Sequence, residues 1–140
     1  MKKQRVLLIA PNLNGVKDGL NRIQPPLGLM LIANQVEKDG HIVKIQDTAL
    51  EGWNTRKEIS SRGLIEIGQT DEEIANLIRE FEPSIVGISV LFSNLINSAH
   101  NIAKVAKQVN KNIITIIGGN HISNAVKDYE YNVIAKLPEL

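Results

Sequence analysis

The chain has 140 residues, a length that suits one domain. It contains no cysteine, which excludes disulfides, thiolate metal sites, iron–sulfur clusters and cysteine nucleophiles on this polypeptide. Its 16 basic and 15 acidic residues are spread along the sequence and leave a net charge of +1, so no charged block predicts a nucleic-acid partner.

The first apolar run is too short for a targeting or membrane segment. Residues 6–10 are consecutively apolar, and the run ends at Pro11. A signal peptide has a longer apolar core, and a membrane span needs about 20 apolar residues. The run therefore predicts a buried first strand, and we expect a cytoplasmic protein without membrane contact.

Strand and helix patterns alternate along the chain. The predicted strands occupy residues 6–10, 41–47, 85–90, 113–117 and 131–135. The predicted helices occupy residues 27–38, 71–82, 94–109 and 123–128. Pro26 and Gly40 bound the first helix, and the capping-box sequence from Thr70 to Glu73 starts the second.

This alternation predicts an α/β fold: a doubly wound, five-stranded parallel sheet of the flavodoxin-like (Rossmann-like) type, forming a single domain over residues 1–140. The favoured strand order is 2-1-3-4-5. Ligands of such sheets bind outside the carboxyl ends of the strands. Candidate functional residues therefore lie in the segments that follow strands, at residues 11–26, 47–53, 89–94 and 118–123.

Two connecting segments are longer than this fold needs. Residues 12–24 hold two glycines, three asparagines and few apolar side chains, so we expect them to cover a ligand rather than join the core. Residues 48–69 contain the only tryptophan. For this second segment the sequence leaves a lid and a piece of interface equally open.

Signatures of common enzymes and nucleotide-binding proteins are missing. There is no nucleophile elbow, HExxH, GxGxxG or phosphate-loop motif. A receiver domain would need an aspartate after the third strand, where Val90 and Leu91 stand. Of the histidines, only His121 falls at the predicted binding edge, since His41 opens a strand and His100 lies within a helix.

Two adjacent strand ends carry the strongest pattern. The third strand ends in Ser89-Val90-Leu91, and Gly118-Gly119 closes the fourth after 26 intervening residues. Glycines without Cβ atoms let a flat ring lie against the backbone. Ser89 offers a hydroxyl to a polar edge of that ring and Leu91 an apolar wall. Taken singly, a glycine pair and a serine at a strand end are also ordinary structural features.

Together, the SxL sequence, the spacing and the glycine pair resemble two signatures of flavodoxin-like cobalamin-binding domains. A third signature of that family, DxHxxG after the first strand, is absent. The resemblance therefore points to the N-terminal cobalamin-binding domains of radical SAM enzymes, which lack that histidine. Further segments similar to those domains are residues 25–29 (PPLGL), Gly40-His41, Asp47, residues 83–89 and residues 118–123.

The resemblance implies a cobalamin cofactor, as methylcobalamin or hydroxocobalamin, bound with its nucleotide tail displaced from cobalt. No histidine of the protein would coordinate the metal, and the segment from Asn12 to Leu27 would cover the lower face. His121 would lie near the tail or its ribose-phosphate. The residues expected to contact the cofactor are Asn12, Asn14, Pro26, Leu27, Asp47, Ser89, Leu91, Phe92, Ser93, Asn94, Gly118, Gly119, His121 and Ser123.

The resemblance also implies that catalysis happens elsewhere. With no catalytic residue on this chain, we expect it to be the cofactor domain of a radical SAM methyltransferase-like enzyme, acting with a catalytic domain or partner protein. A free-standing corrinoid carrier or sensor is the alternative. A flavodoxin-like domain for a nucleotide or flavin is less well supported.

Overall fold

The computed structural model describes residues 2–128 of the chain. Its strands are β1 (Arg5–Ala10), β2 (Leu13–Val16), β3 (Ile42–Asp47), β4 (Arg56–Glu58), β5 (Leu64–Ile67), β6 (Ile85–Ser89) and β7 (Ile114–Gly118). Its α-helices are α1 (Leu27–Lys38), α2 (Thr48–Glu51), α3 (Asp71–Phe81), α4 (Ile96–Val109) and α5 (Asn120–Asp128), and a 3-10 turn (Ser93–Leu95) precedes α4.

The central sheet is parallel and has the order β3-β1-β6-β7. These are the first four predicted strands, in the predicted relative order 2-1-3-4. The predicted fifth strand, residues 131–135, lies outside the described residues. Within residues 2–128 the structure has four of the five predicted parallel strands, together with a separate antiparallel sheet that the sequence did not predict.

Apolar side chains cover both faces of the parallel sheet. On one face, β1, β6 and α3 and α4 form a large core around Leu7, Ile9 and Val86, each fully buried. On the other face, Leu29 and Ala33 of α1 pack against the opposite side of β1. Continuous apolar runs in β1 and β6 follow from this burial on two faces.

The separate sheet, which we call the small sheet, has the order β2-β5-β4 and is antiparallel. Its strands come from the two segments that the sequence left as long connections. The alternation of Leu64–Ile67 places Ile65 and Ile67 in the interior, at 2% and 0% exposure. Residues 48–69 thus contain the short helix α2 and the β4–β5 hairpin.

Helix boundaries follow the local signals closely, with one exception. Helix α1 spans the predicted residues, and Gly40 beyond its end has a φ of +84°. Helix α5 begins at Asn120, three residues before the predicted start. The reason is that the Ser123 N–H donates to the Gly119 carbonyl, which closes a helical turn directly after β7. Among the described residues, no helix is both long and apolar enough to cross a membrane.

The capping box of α3 gives a testable stability contribution. The Thr70 hydroxyl accepts from the Glu73 N–H at 3.2 Å, and the Glu73 carboxylate accepts from the Thr70 N–H at 2.7 Å. We expect Thr70→Ala to lower the free energy of unfolding by about 1 kcal/mol, measured by urea titration. Thr55→Ala, at an exposed position outside any helix or strand, is the matched control. Equal losses in the two variants would contradict a capping role.

Candidate functional site

A cavity of about 560 Å³ lies at the carboxyl ends of the parallel strands. This volume is in the usual range for ligand pockets. The strand ends β1, β3 and β6, the turn after β7, the segment before α1 and the segment after β6 all contribute. The lining residues are Ala10, Pro11, Leu13, Arg22, Ile23, Gln24, Pro25, Pro26, Leu27, Gly28, Leu29, Asp47, Ala49, Ser89, Leu91, Phe92, Leu95, Gly119 and Asn120.

Ser89 and Gly118 are neighbours across the β6–β7 ladder. They are paired in register as the last residues of their strands. A Cβ atom added to Gly118 would meet no other atom within 4 Å, so open space adjoins the glycine beside the serine. A flat group could occupy that space and reach the Ser89 hydroxyl.

Gly119 has a different role from the one that the sequence suggested. Its φ is +107°, and an added Cβ atom would lie 2.5 Å from the Val90 carbonyl oxygen. The Val90 N–H donates to the Gly118 carbonyl at 2.7 Å, and the His121 N–H donates to the Val90 carbonyl at 3.1 Å. Gly119 therefore lets the backbone after β7 pack against the backbone after β6, which draws the two strand ends together.

The segment between β2 and α1 forms one wall of the cavity. The Asn21 side chain accepts from the Val16 N–H and donates to the Val16 carbonyl, both at 2.9 Å, so it folds the chain back after β2. Pro25 and Pro26 then lead into α1 and face the cavity with Leu27. From the stretch 12–24, which was predicted to cover a ligand, Leu13, Arg22, Ile23 and Gln24 line the cavity.

The cavity is mostly apolar and contains both signs of charge. Arg22 and Asp47 line it, together with the polar side chains of Gln24, Ser89 and Asn120. Asp47 is held in place because its Oδ1 accepts from the Leu50 N–H at 3.0 Å, capping α2. Such a site can bind a large, mainly apolar group that carries several hydrogen-bonding substituents.

Large apolar side chains are exposed at the rim of the cavity. Leu27, Leu91 and Phe92 are 66%, 47% and 60% exposed. Exposed apolar groups gathered around a concave site are typical of surfaces that a ligand or another protein covers.

The structure brings half of the sequence-predicted residues to the cavity surface. The predicted residues that line it are Pro26, Leu27, Asp47, Ser89, Leu91, Phe92 and Gly119. The predicted residues outside the lining are Asn12, Asn14, Ser93, Asn94, Gly118, His121 and Ser123.

Several residues of this second group connect parts of the site instead. Asn14 of β2 donates to the Asn94 carbonyl, which ties the small sheet to the turn before α4. Ser93 and His121 are hydrogen-bonded through Oγ and Nδ1 at 3.0 Å, which links the segments after β6 and β7. Asn12 is 7% exposed and is therefore part of the interior, in contrast to the expectation for its segment.

Sequence reasoning missed some of the lining. Arg22, Gln24 and Asn120 bring polar groups to the cavity, and Leu13 and Leu95 bring apolar ones. Arg22 and Gln24 belong to a segment that was expected to cover a ligand, but no motif distinguishes them within it. Leu13 lies on β2, whose four-residue sequence LNGV shows no alternation of apolar and polar residues that would have predicted a strand.

Comparison with known proteins identifies the family. Residues 16–135 match the B12 binding domain family. The chain is 37% identical over 119 residues to cytidylyl-2-hydroxyethylphosphonate methyltransferase from Streptomyces wedmorensis, which covers 84% of this chain and 22% of that protein. It is 34% identical over 124 residues to an uncharacterized methyltransferase from Pyrococcus horikoshii, covering 88% of this chain and 23% of that protein.

The chain thus spans less than a quarter of the length of these two curated relatives. The family match covers most of the sequence, including the carboxyl ends of β3, β6 and β7 but not that of β1. It confirms the resemblance drawn from Ser89, Leu91 and the glycine pair. The chain belongs to the B12 (cobalamin) binding domain family.

Proposed function

We propose that the chain binds cobalamin in this cavity, as the cofactor domain of a radical SAM methyltransferase-like enzyme. The nucleotide tail enters the space beside Ser89 and Gly118, displaced from cobalt. The observation that carries the proposal is the cavity itself, at the carboxyl ends of β1, β3 and β6, in a member of this family.

The residues present fit the chemistry of the cofactor. The apolar walls suit the flat faces of a corrin and a benzimidazole, whereas Gln24 and Asn120 offer donors and acceptors to peripheral amide groups. Arg22 supplies a positive charge at the cavity surface, and the cofactor's tail phosphate carries the negative one. A neutral to weakly charged site is sufficient for such a ligand.

The histidines support a mode without a histidine beneath cobalt. Among the described residues, none of the cavity lining is histidine. His121 is hydrogen-bonded to Ser93, and His41 accepts from the Gln4 N–H at 3.3 Å at the opposite end of β1. The chain therefore holds the cofactor through its tail and its periphery.

The proposal also includes the chemistry of the bound cofactor and a catalytic domain or partner protein. Methylcobalamin would supply the methyl group and hydroxocobalamin would be the form without it, while this chain orients the cofactor and restricts access to it. Both relatives are named methyltransferases and are much longer than this chain, which supports catalysis on a further domain or partner. We propose that residues 1–140 act as one cytoplasmic cofactor domain.

Absorption spectroscopy tests the proposal directly. After incubation with hydroxocobalamin and desalting, we expect a bound corrinoid with a spectrum of the form in which the nucleotide tail has left cobalt. Flavin and nucleotide samples treated identically serve as comparison ligands. Loss of all corrinoid absorption on desalting would overturn cobalamin binding. A bound spectrum with the tail still on cobalt would overturn the tail-pocket mode alone.

A further inference from the structure

The carboxylate of Glu66 joins three parts of the fold beside the cavity. Its Oε2 accepts from the Ser98 hydroxyl at 2.8 Å, and its Oε1 accepts from the Asn12 Nδ2 at 3.3 Å. Glu66 is on β5 of the small sheet, Ser98 is in the first turn of α4, and Asn12 lies between β1 and β2. Both carboxylate oxygens are thus used to hold other elements.

These contacts fix the orientation of Asn12. Its Nδ2 also donates to the Gln69 carbonyl at 3.0 Å, so both amide hydrogens have acceptors. Its Oδ1 is buried against Gly68 and has no hydrogen-bond donor in the described part of the chain. The reverse orientation would place Oδ1 against two acceptors, so Glu66 and Gln69 determine which way the amide points.

The position of Asn12 matters because Pro11 and Leu13, on either side of it, both line the cavity. Ser98, the other partner of Glu66, lies in a well-packed part of the fold. Ser98 is 5% exposed, and its helix neighbours Ala99 and Ile102 are buried in the larger core at 0% and 1%. Glu66 therefore sets the cavity wall relative to a rigid part of the fold.

We propose that Glu66 is a positioning residue for the cofactor. Its carboxylate holds Asn12, and with it the cavity-lining residues Pro11 and Leu13, in a fixed position, so that this part of the wall does not open. This inference rests on the proposed function, since the ligand whose release it slows is cobalamin. It assigns a role to a glutamate that lies outside the cavity lining.

The test compares variants by the rate at which bound cobalamin is released. Glu66→Leu removes both contacts and deprives the Ser98 hydroxyl and the Asn12 amide of this acceptor, and we expect release about tenfold faster because unsatisfied buried donors are costly. Glu66→Gln should restore a rate near that of the unsubstituted chain, because its amide oxygen accepts from Asn12 and its NH₂ donates to Ser98. Glu58→Gln is the matched control on the neighbouring strand.

Glu58 suits this control because it acts only at the surface. The hydrogen bond from Lys17 holds the pKa of the Glu58 carboxyl below its usual range, and both side chains are well exposed. Exposed pairs of this kind contribute little to stability. We therefore expect Glu58→Gln to leave the release rate unchanged.

The release rates of the variants decide whether Glu66 positions the cofactor. Release at the unsubstituted rate from folded Glu66→Leu, or equal damage by Glu66→Gln, would overturn the inference. If Glu66→Leu does not fold, Ser98→Ala decides, with faster release expected and an unchanged rate refuting the role. If the unsubstituted chain takes up no cobalamin, the proposed function fails instead. Faster tryptic cleavage at Arg56 and Arg62 in Glu66→Leu would then still establish that Glu66 holds the small sheet in place.

Discussion

Gly119→Ala is expected to weaken cobalamin binding by about a hundredfold or more. The added Cβ atom would lie 2.5 Å from the Val90 carbonyl oxygen and 2.9 Å from the Val90 nitrogen. Backbone atoms cannot rotate aside as a side chain does, so the ends of β6 and β7 must separate. That separation would widen the space beside Ser89 and break the hydrogen bond from the His121 N–H to the Val90 carbonyl.

Gly40→Ala is the matched control for this substitution. Gly40 also has a positive φ, +84°, but its added Cβ atom would meet nothing within 4 Å. Both alanines carry the strain of a left-handed backbone, about 1–2 kcal/mol, and only the one at position 119 also clashes. Binding by isothermal titration and stability by urea unfolding should separate the two. Equal losses of affinity would contradict the close approach of the strand ends as the basis of the site.

Much of the fold was predictable because its signals are local. The apolar run in β1, the capping box at Thr70 and the glycine after α1 each fix an element from a few neighbouring residues. The order of the first four strands also followed, because alternating strands and helices allow few topologies. The position of the cavity then came from the topology alone.

The small sheet was not predictable in the same way. Its strands have three or four residues each, and β2 pairs with β5 across about fifty residues of chain. Only the alternation in Leu64–Ile67 hinted at a strand, and an exposed strand such as Arg56–Glu58 shows no apolar pattern. Non-local hydrogen bonds such as that from Ser98 to Glu66 hold this region together, and no local pattern encodes them.

The sequence predicted the strand ends of the site better than the connecting segments around them. Ser89 and the glycine pair stand at strand ends, where topology and motif agree. The sequence could not show that the two glycines have different structural roles. Gly119 accommodates the backbone of Val90, whereas Gly118 adjoins open space, and only the three-dimensional structure distinguishes them.

Because the two glycines differ in this way, a substitution at Gly118 should block the site of the nucleotide tail without disturbing the fold. Gly118 needs no positive φ and is the last residue of β7, so leucine fits its backbone. Because glycine weakens a strand, we expect Gly118→Leu to be at least as stable as the unsubstituted chain in urea. Its side chain would fill the space beside Ser89, and cobalamin affinity should fall by about tenfold to a hundredfold.

Cobinamide, a corrinoid without the nucleotide tail, sharpens this test. If the tail enters beside Gly118, Gly118→Leu should bind cobinamide as well as the unsubstituted chain does and lose affinity for cobalamin only. Ile116→Leu is the matched control, since Ile116 lies two residues earlier on the same face of β7 and is 52% exposed. A Gly118→Leu variant that binds cobalamin normally would place the tail elsewhere. One that loses both corrinoids equally would show that leucine obstructs the corrin rather than the tail.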